Sequence, residues 1–275
     1  DWSSTLPLNN NSYFYPSLNT SVIFTDALNM DNKILSFGKV RFSYAYVGND
    51  TRPYRLSKEY MNEAFGDLTT VYLSNTGNNS KLKPEQTGSW EIGTDLRFFM
   101  NRIGVDFTYY NETTYDQIVF AEVSKSSGFT KIITNGGEIS NKGVEIQLSA
   151  SPVKSSNINW NVIFNFAKNN NTVVSLAEGL NQLTITNESQ IDIVAIPGRP
   201  YGEIIGTRYK RYYKTDVSGN IIDDPNNGRP LVDADGLYIN DGRGVIGNIT
   251  PDFSGGFTNN VSYKNLSLSF SVGFS

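Results

Sequence analysis

The sequence predicts an all-β chain, folded as a segment of an antiparallel, up-and-down transmembrane β-barrel. Three observations predict it. Apolar and polar residues alternate with period two along much of the chain. Short and long connections take turns between the alternating stretches. No apolar run approaches the roughly 20 residues that a membrane-spanning helix needs, so a membrane role requires strands.

Period two places successive side chains on opposite faces of a strand. Leu18 to Phe24 is the first such stretch, and Leu28 to Lys33, rich in Asn and Asp, is the tight turn after it. Val40 to Tyr46 follows, then a long polar connection from Gly48 to about Thr87. Trp90 to Phe98 alternates with Glu91, Asp95 and Arg97 on its polar side. Met100 to Arg102 turns into Ile103, Val105, Phe107 and Tyr109, which oppose Gly104, Asp106 and Thr108. A longer link, Ala121 to Asn141, leads to Val144, Ile146, Leu148 and Ala150 against Glu145, Gln147, Ser149 and Ser151. Lys154 to Asn157 turns tightly into Ile158, Trp160, Val162, Phe164 and Phe166, set against Asn159, Asn161 and Asn165. From Asn169 the connection is long again. Lys264 and Asn265 then turn into Leu266, Leu268, Phe270, Val272 and Phe274, set against serines and Gly273. Roughly nine strands are expected.

A soluble sandwich shares the residue alternation but has no reason to keep the parity of connection lengths. Parity requires an even number of wall strands between Asn169 and Asp252, and two are expected. They are Ser189 to Ile196 and Glu203 to Tyr213, joined at Pro197-Gly198-Arg199-Pro200, where two prolines and a glycine favour a turn. Ile158, Val162, Leu266 and Phe270 then face lipid, while the serines and asparagines beside them border a wide, wet lumen. Tyr109, Tyr110, Tyr115, Tyr209, Tyr212, Tyr213 and Tyr263 fall near the expected strand ends, where interfacial girdles concentrate aromatic rings. The last alternating stretch runs to Ser275 without a final turn, which reads as a fragment of a barrel closed by other strands.

Composition narrows the chemistry. His and Cys are both absent from the 275 residues, so a Ser-His-Asp triad, a thiol nucleophile, a His- or Cys-bound metal and a disulfide framework are all excluded. Lys and Arg total 23 against 27 for Asp and Glu, and no run of either sign tracks a phosphate backbone, so nucleic acid is not an expected partner. Asp1 to Asn11 has no basic segment followed by an apolar core, and so does not read as a signal peptide.

The stretch LKPEQTGSWEIGTDLRFFMNRIGVDFTYYNETTYDQI, from Leu82 to Ile118, closely resembles the barrel of the SusC/RagA family of TonB-linked outer-membrane proteins. The similarity runs in order through FYPSLNTSVIF, ILSFGKVRFSYAYVGND, NGGEISNKGVEIQLSASPV, INWNVIFNFAKNNNTVVSL and VIGNITPDFSGGFTNNVSYKNLSLSF, covering nearly the whole chain. The resemblance implies a barrel of about 22 strands, with residues 1–275 a partial TonB-dependent receptor barrel domain from its second half without the last strands. It also implies an N-terminal plug and a TonB-contacting segment outside this chain. As partners it implies outer-membrane lipids, TonB, a SusD-like lipoprotein lid, and an oligosaccharide or peptide imported at the expense of proton-motive force. The location implied is the outer membrane of a Gram-negative, Bacteroidetes-like bacterium.

Few residues invite a site. In LVDADGLYINDGRG, Asp233, Asp235, Asn240 and Asp241 are oxygen ligands suited to calcium, but they depart from the spacing of an EF-hand loop, and Asx-rich turns explain them as well. Lys83, Pro84, Glu85, Trp90 and Glu91 belong to the family signature, where a structural role is the stronger reading. Carboxylates such as Asp106 and Glu145 have the chemistry of a glycoside hydrolase pair, but nothing in the sequence brings them together, and lumen lining explains them better. Tyr13, Phe14, Tyr15 and Tyr60 have rings able to stack on sugars, with strand or loop packing the plainer account. Asn19-Thr20-Ser21 and Asn78-Asn79-Ser80 follow from an Asn- and Ser-rich composition and need no glycan. No catalytic residue, cofactor or enzymatic activity is expected. The alternative to a transport component is a soluble or surface-exposed carbohydrate-binding β-sandwich without catalysis.

Overall fold

The computed structural model of the protein describes residues 1–30 and 33–275. Strand β1 (Ser17–Ile23) leads through a one-turn helix, α1 (Phe24–Ala27), to β2 (Leu35–Asn49). A first excursion carries β3 (Tyr60–Phe65), β4 (Leu68–Leu73) and the short β5 (Thr76–Gly77), and is followed by β6 (Glu85–Phe98) and β7 (Ile103–Tyr115). A second carries β8 (Ile118–Glu122) and β9 (Lys131–Asn135), after which the chain returns as β10 (Glu138–Lys154) and β11 (Ile158–Ser175). The third and longest holds β12 (Leu183–Glu188), β13 (Ile191–Ala195), β14 (Glu203–Tyr209) and β15 (Asn240–Asn248). Strands β16 (Ser254–Tyr263) and β17 (Leu266–Phe274) complete the order.

Eight of these strands form one sheet in the order β1-β2-β6-β7-β10-β11-β16-β17, every pair antiparallel and every neighbour the next wall strand along the chain. This is up-and-down connectivity. The tight turns lie at one end of the sheet and all three excursions at the other, as the parity of the connections requires. At the tight end Phe99, Met100 and Asn101 all take positive φ, which closes the β6–β7 link within four residues. The Leu28 to Lys33 turn lies partly outside the described residues. Before it, Phe24 begins α1 rather than ending β1, and its ring occupies the space over Gly38 that any Cβ would fill.

Register aligns the apolar side chains into rows. One runs Val22, Val40, Thr94, Phe107, Ile146, Phe166, Gly255 and Phe274, and another Leu96, Val105, Leu148, Phe164, Phe257 and Val272. Strands β10 and β11, at 17 and 18 residues, are longer than the roughly 9–11 that a tilted strand needs to cross a bilayer. Their extra length lies beyond Val144 and Phe166, at the end where the excursions begin.

The expected hairpin of the third excursion is present, since Asp192, Ile193 and Val194 pair with Ile205, Ile204 and Glu203 across the Pro197–Pro200 turn. Its place in the wall is not. These strands belong to a separate four-stranded sheet, β12-β13-β14-β15, and β11 pairs directly with β16. The wall therefore gains no strand between residues 176 and 253 instead of two, and parity survives because zero is also even. Tyr209, Tyr212 and Tyr213 consequently lie off the wall and join no girdle. Of the other tyrosines, Tyr109 sits on the apolar face against Trp90, with ring centroids 5.5 Å apart, and Tyr263 closes β16 at the tight end.

A sandwich would stack a second sheet on the apolar rows. Here those rows are open: Phe42 is 37% exposed, Ile92 46%, Leu148 41% and Leu268 65%. Buried apolar residues gather instead where the excursions meet, with Leu6, Leu82 and Ile133 packed under Tyr13, Leu56 and Ile118. There β5 of the first excursion pairs with β9 of the second, tying the two together. No described helix is long and apolar enough to cross a membrane.

Candidate functional site

The face opposite the apolar rows carries the charge. Arg41 on β2 reaches across β6 to β7, where its guanidinium takes both oxygens of Asp106 at 2.7 and 2.9 Å and the Thr108 hydroxyl at 2.5 Å. Residue 93 lies beneath this path and is glycine, and a Cβ there would come within 2.7 Å of the Arg41 Nε. The forked, bidentate geometry is the strong form of such a pair. Beside it is a hollow of about 560 Å³, to which Glu145, Gln147 and Asn165 also contribute. Asp106 is thus engaged by Arg41, and the acid weighed with Glu145 for hydrolysis has both its oxygens committed.

Cross-strand hydrogen bonds continue along this face. Thr87 meets Thr114 at 3.0 Å, Thr258 meets Ser271 at 2.9 Å, and the Ser269 hydroxyl donates to Asn260 at 2.5 Å. Near the excursion end, Asn169 and Asn171 both donate to the Asn141 side-chain carbonyl, at 3.0 and 2.7 Å. Thr108 on this face is buried under Arg41, at 8% exposure, and the large apolar side chains of the opposite face, such as Ile92 and Leu148, stand open instead of forming a core. One polar group on the apolar side is satisfied locally, since the Asn259 carbonyl accepts the Trp160 indole N–H at 2.6 Å.

The family-signature residues fasten the excursions to the wall. Asn135 accepts the Lys83 N–H at 2.7 Å and donates to the Lys83 and Asp116 carbonyls at 2.7 and 2.9 Å. Glu85 accepts the Ile118 N–H at 2.8 Å and an Asn49 side-chain N–H at 3.0 Å. Leu82 and Pro84 are buried beside them, while Lys83 itself points to solvent. Trp90 packs on Tyr109, and the Glu91 carboxylate accepts from the Ser43 hydroxyl at 3.5 Å. Sequence reasoning missed Asn135, whose only signal was an Asn preceding the Gly136-Gly137 pair.

The residues weighed as calcium ligands have other partners. Asp233 accepts the N–H groups of Asp235 and Leu237, Asn240 accepts that of Gly242, and Asp241 stands 3.7 Å from Arg208. Among the described residues no group of three or more acidic side chains is placed to hold a metal. Asp216 and Asp224 likewise cap turns, and hydrogen bonds from the backbone at Asn220 and at Asn226, respectively, hold their carboxyls below the ordinary range. Of the aromatic candidates, Tyr13 stacks on Tyr15 at 5.8 Å and packs on the Leu6 cluster, while Phe14 and Tyr60 stand in solvent.

The chain matches the model of the TonB dependent receptor-like β-barrel family over residues 1–273. It is 29% identical to TonB-dependent receptor P3 of Formosa agariphila, over 98% of this chain and 28% of that one, and 30% identical to receptor P26 of the same organism, over 98% and 29%. It is 24% identical to TonB-dependent receptor SusC of Bacteroides thetaiotaomicron, over 88% of this chain and 25% of that one. Among solved structures, the RagAB peptide transporter contains a chain of the same fold, with a TM-score of 0.79 and 23% identity over 99% of this chain and 30% of that one. The chain thus spans between a quarter and a third of the length of these relatives.

Proposed function

Because this chain belongs to the TonB-dependent receptor β-barrel family, we propose that it supplies eight wall strands and three outward loops of an outer-membrane importer. The observation that supports this reading is that the apolar face of the eight-stranded sheet is uncovered, with no second layer of described residues packed on it. Leaving a large apolar side chain in water instead of burying it forgoes about 1.5–3 kcal/mol. Rows of them along eight strands are at rest only against lipid, while the polar face with its Arg41–Asp106 pair suits a water-filled lumen. The long connections then lie outside the cell and the tight turns on the periplasmic side, as in outer-membrane barrels generally.

In the complete protein, remaining strands close the wall, a plug occupies the lumen, and a segment outside this chain receives energy from TonB. A SusD-like lipoprotein covers the outer mouth, and the cargo is an oligosaccharide or a peptide. The name of the SusC relative, a TonB-dependent receptor, supports the dependence on TonB, and that of the RagAB peptide transporter supports a peptide as one of the two cargoes.

The test uses the absence of cysteine from the chain. Single cysteines replacing Phe107, Leu148 or Phe164 in the full protein, reconstituted in vesicles and labelled with a fluorophore, are expected to be quenched by brominated acyl chains. Labels at Thr108, Gln147 or Asn165 are expected to respond to aqueous iodide instead. The opposite pattern, or a full-length protein monomeric in detergent-free buffer, refutes the reading. Uptake of labelled oligosaccharides and peptides by cells with and without a protonophore then tests import itself.

A further inference from the structure

We propose that the cleft beside β14 and β15 binds an acidic oligosaccharide, a sugar chain carrying carboxylate or sulfate groups. The proposal rests on the reading above, that the long connections face outward, and adds to it the chemical class of a ligand.

The chain as a whole carries a net charge of -4, yet residues 204–215 hold the cations Arg208, Lys210, Arg211 and Lys214 and no acid. Tyr209, Tyr212 and Tyr213 interleave with them. A cleft of about 610 Å³ opens against this ribbon, lined by Arg208, Tyr209, Lys210, Arg211 and Tyr213 together with Asp241. Ligand sites for small molecules run from about 300 to 1,000 Å³, so the space suits a few sugar rings. Three cations border it against one carboxylate, and that carboxylate is 3.7 Å from Arg208, a loose pairing. Among the described residues, Lys210 and Arg211 have no carboxylate partner; Arg211 donates instead to the Gly228 carbonyl at 2.5 Å, which fixes its guanidinium without neutralising it.

The ribbon is held along its length before any ligand arrives. The Lys210 N–H donates to Ile239 at 2.9 Å and its carbonyl accepts from Leu231 at 2.8 Å, while Tyr212 is tied in the same way to Arg229 and Gly228. The Tyr209 ring leans on Tyr238 with centroids 5.5 Å apart. Arg208 lies over Gly244, where any Cβ would overlap its guanidinium, so the close approach of the two strands requires glycine. Fixed donors lose less freedom on binding than mobile ones. A guanidinium forks onto carboxylate or sulfate oxygens, and the exposed Tyr209 and Tyr213 rings offer flat, electron-rich faces to sugar C–H groups. An acidic peptide would satisfy the cations but make less use of two ring faces in an open cleft, so the saccharide is favoured.

The full-length parent protein in detergent, titrated calorimetrically at low salt, tests this with four probes: hexagalacturonate, a sulfated carrageenan hexasaccharide, the neutral methyl ester of the first, and hexaglutamate. At least one acidic saccharide is expected to bind ten-fold or more tighter than the neutral ester and the peptide, and to weaken as salt is added. Whichever of the two acidic sugars binds identifies the anion. Lys210→Glu with Arg211→Glu is expected to lower that affinity at least ten-fold, and Tyr213→Ala about three-fold. Failure of both acidic saccharides, hexaglutamate binding as tightly as either, or indifference to the double charge reversal overturns the proposal. The lipid-quenching measurement on the same preparation separates the two readings: if it succeeds while these titrations fail, the wall assignment stands and the cleft assignment falls.

Discussion

The wall and the third excursion are both antiparallel β-structure, but different interactions hold them. In the wall every strand but the outer two is paired on both sides over long registers, and 12 successive residue pairs join β10 to β7 without a bulge. In the excursion the sheet breaks register between Thr184 and Thr186, at Ile204 and again at Thr207, and the chain beyond it is pinned by side chains that accept their own backbone N–H groups, as at Asp216, Asp224 and Asp233. The backbone ladder stabilises the first region. Local turn chemistry stabilises the second. The wall should therefore be sensitive to which face a substitution enters, and the excursion to which hydrogen bond it removes.

The strongest way to break that contrast is to place a charge on the apolar face. Leu148→Arg is expected to destabilise the full protein in vesicles by about 2–4 kcal/mol, the cost of an arginine near the middle of a surface proposed to face lipid. Its neighbour Gln147→Arg and the fully exposed Val217→Arg should each change stability by under about 0.5 kcal/mol. Denaturant titration of the reconstituted protein measures all three, and equal effects at positions 147 and 148 would show that the two faces are not distinct.

The junction between the regions comes next. Asn135→Ala removes three hydrogen bonds that hold the second excursion to the approach of β6, and should loosen residues 116–137 by about 2 kcal/mol while leaving the ladder unchanged. Amide exchange reads both parts at once. Within the wall, a double-mutant cycle of Arg41→Gln with Asp106→Asn should give a coupling of about 1 kcal/mol, discounted because both side chains remain about one-third exposed. Gly93→Val should abolish that coupling by obstructing the guanidinium. The smallest effect belongs to the excursion. The folded pKa of Asp216 is depressed, so its contribution is present above the ordinary aspartate value and disappears as pH falls through the depressed one. Exchange at Ser218 and Asn220 should quicken over that acidic window, with no response in β10 or β11.

Legibility in the sequence followed the same division. Strands such as Val144 to Ala150 and Leu266 to Phe274 could be read because one face is apolar and the other polar, which writes period two directly into the residues. The Glu203 strand has the same local grammar and a correct turn, but pairing partners are not encoded by alternation, so nothing local says whether a hairpin joins the wall or stands apart. β16 was visible only through the turn that follows it, because Gly255, Gly256, Asn259 and Asn260 interrupt its pattern. The explanation for Asn259 is a distant Trp160 that supplies its hydrogen bond. Asn135 and the Leu6, Leu82 and Ile133 cluster were hidden for the same reason, since each acts through residues far away in the chain. The cationic cleft needed both stages: its residues sit together in sequence, but only their removal from the wall frees the tyrosines for another use.

The spacing of greasy residues at every second position also bears on how such a chain reaches its destination. Its mean hydropathy is only -0.35, because each apolar side chain is diluted by a polar neighbour. A translocation channel in the inner membrane releases segments sideways when about 20 consecutive residues are apolar, and this polymer never offers it one. Oiliness becomes contiguous only after the strands align, so on the proposed reading the chain would conceal any affinity for hydrocarbon until secretion is complete.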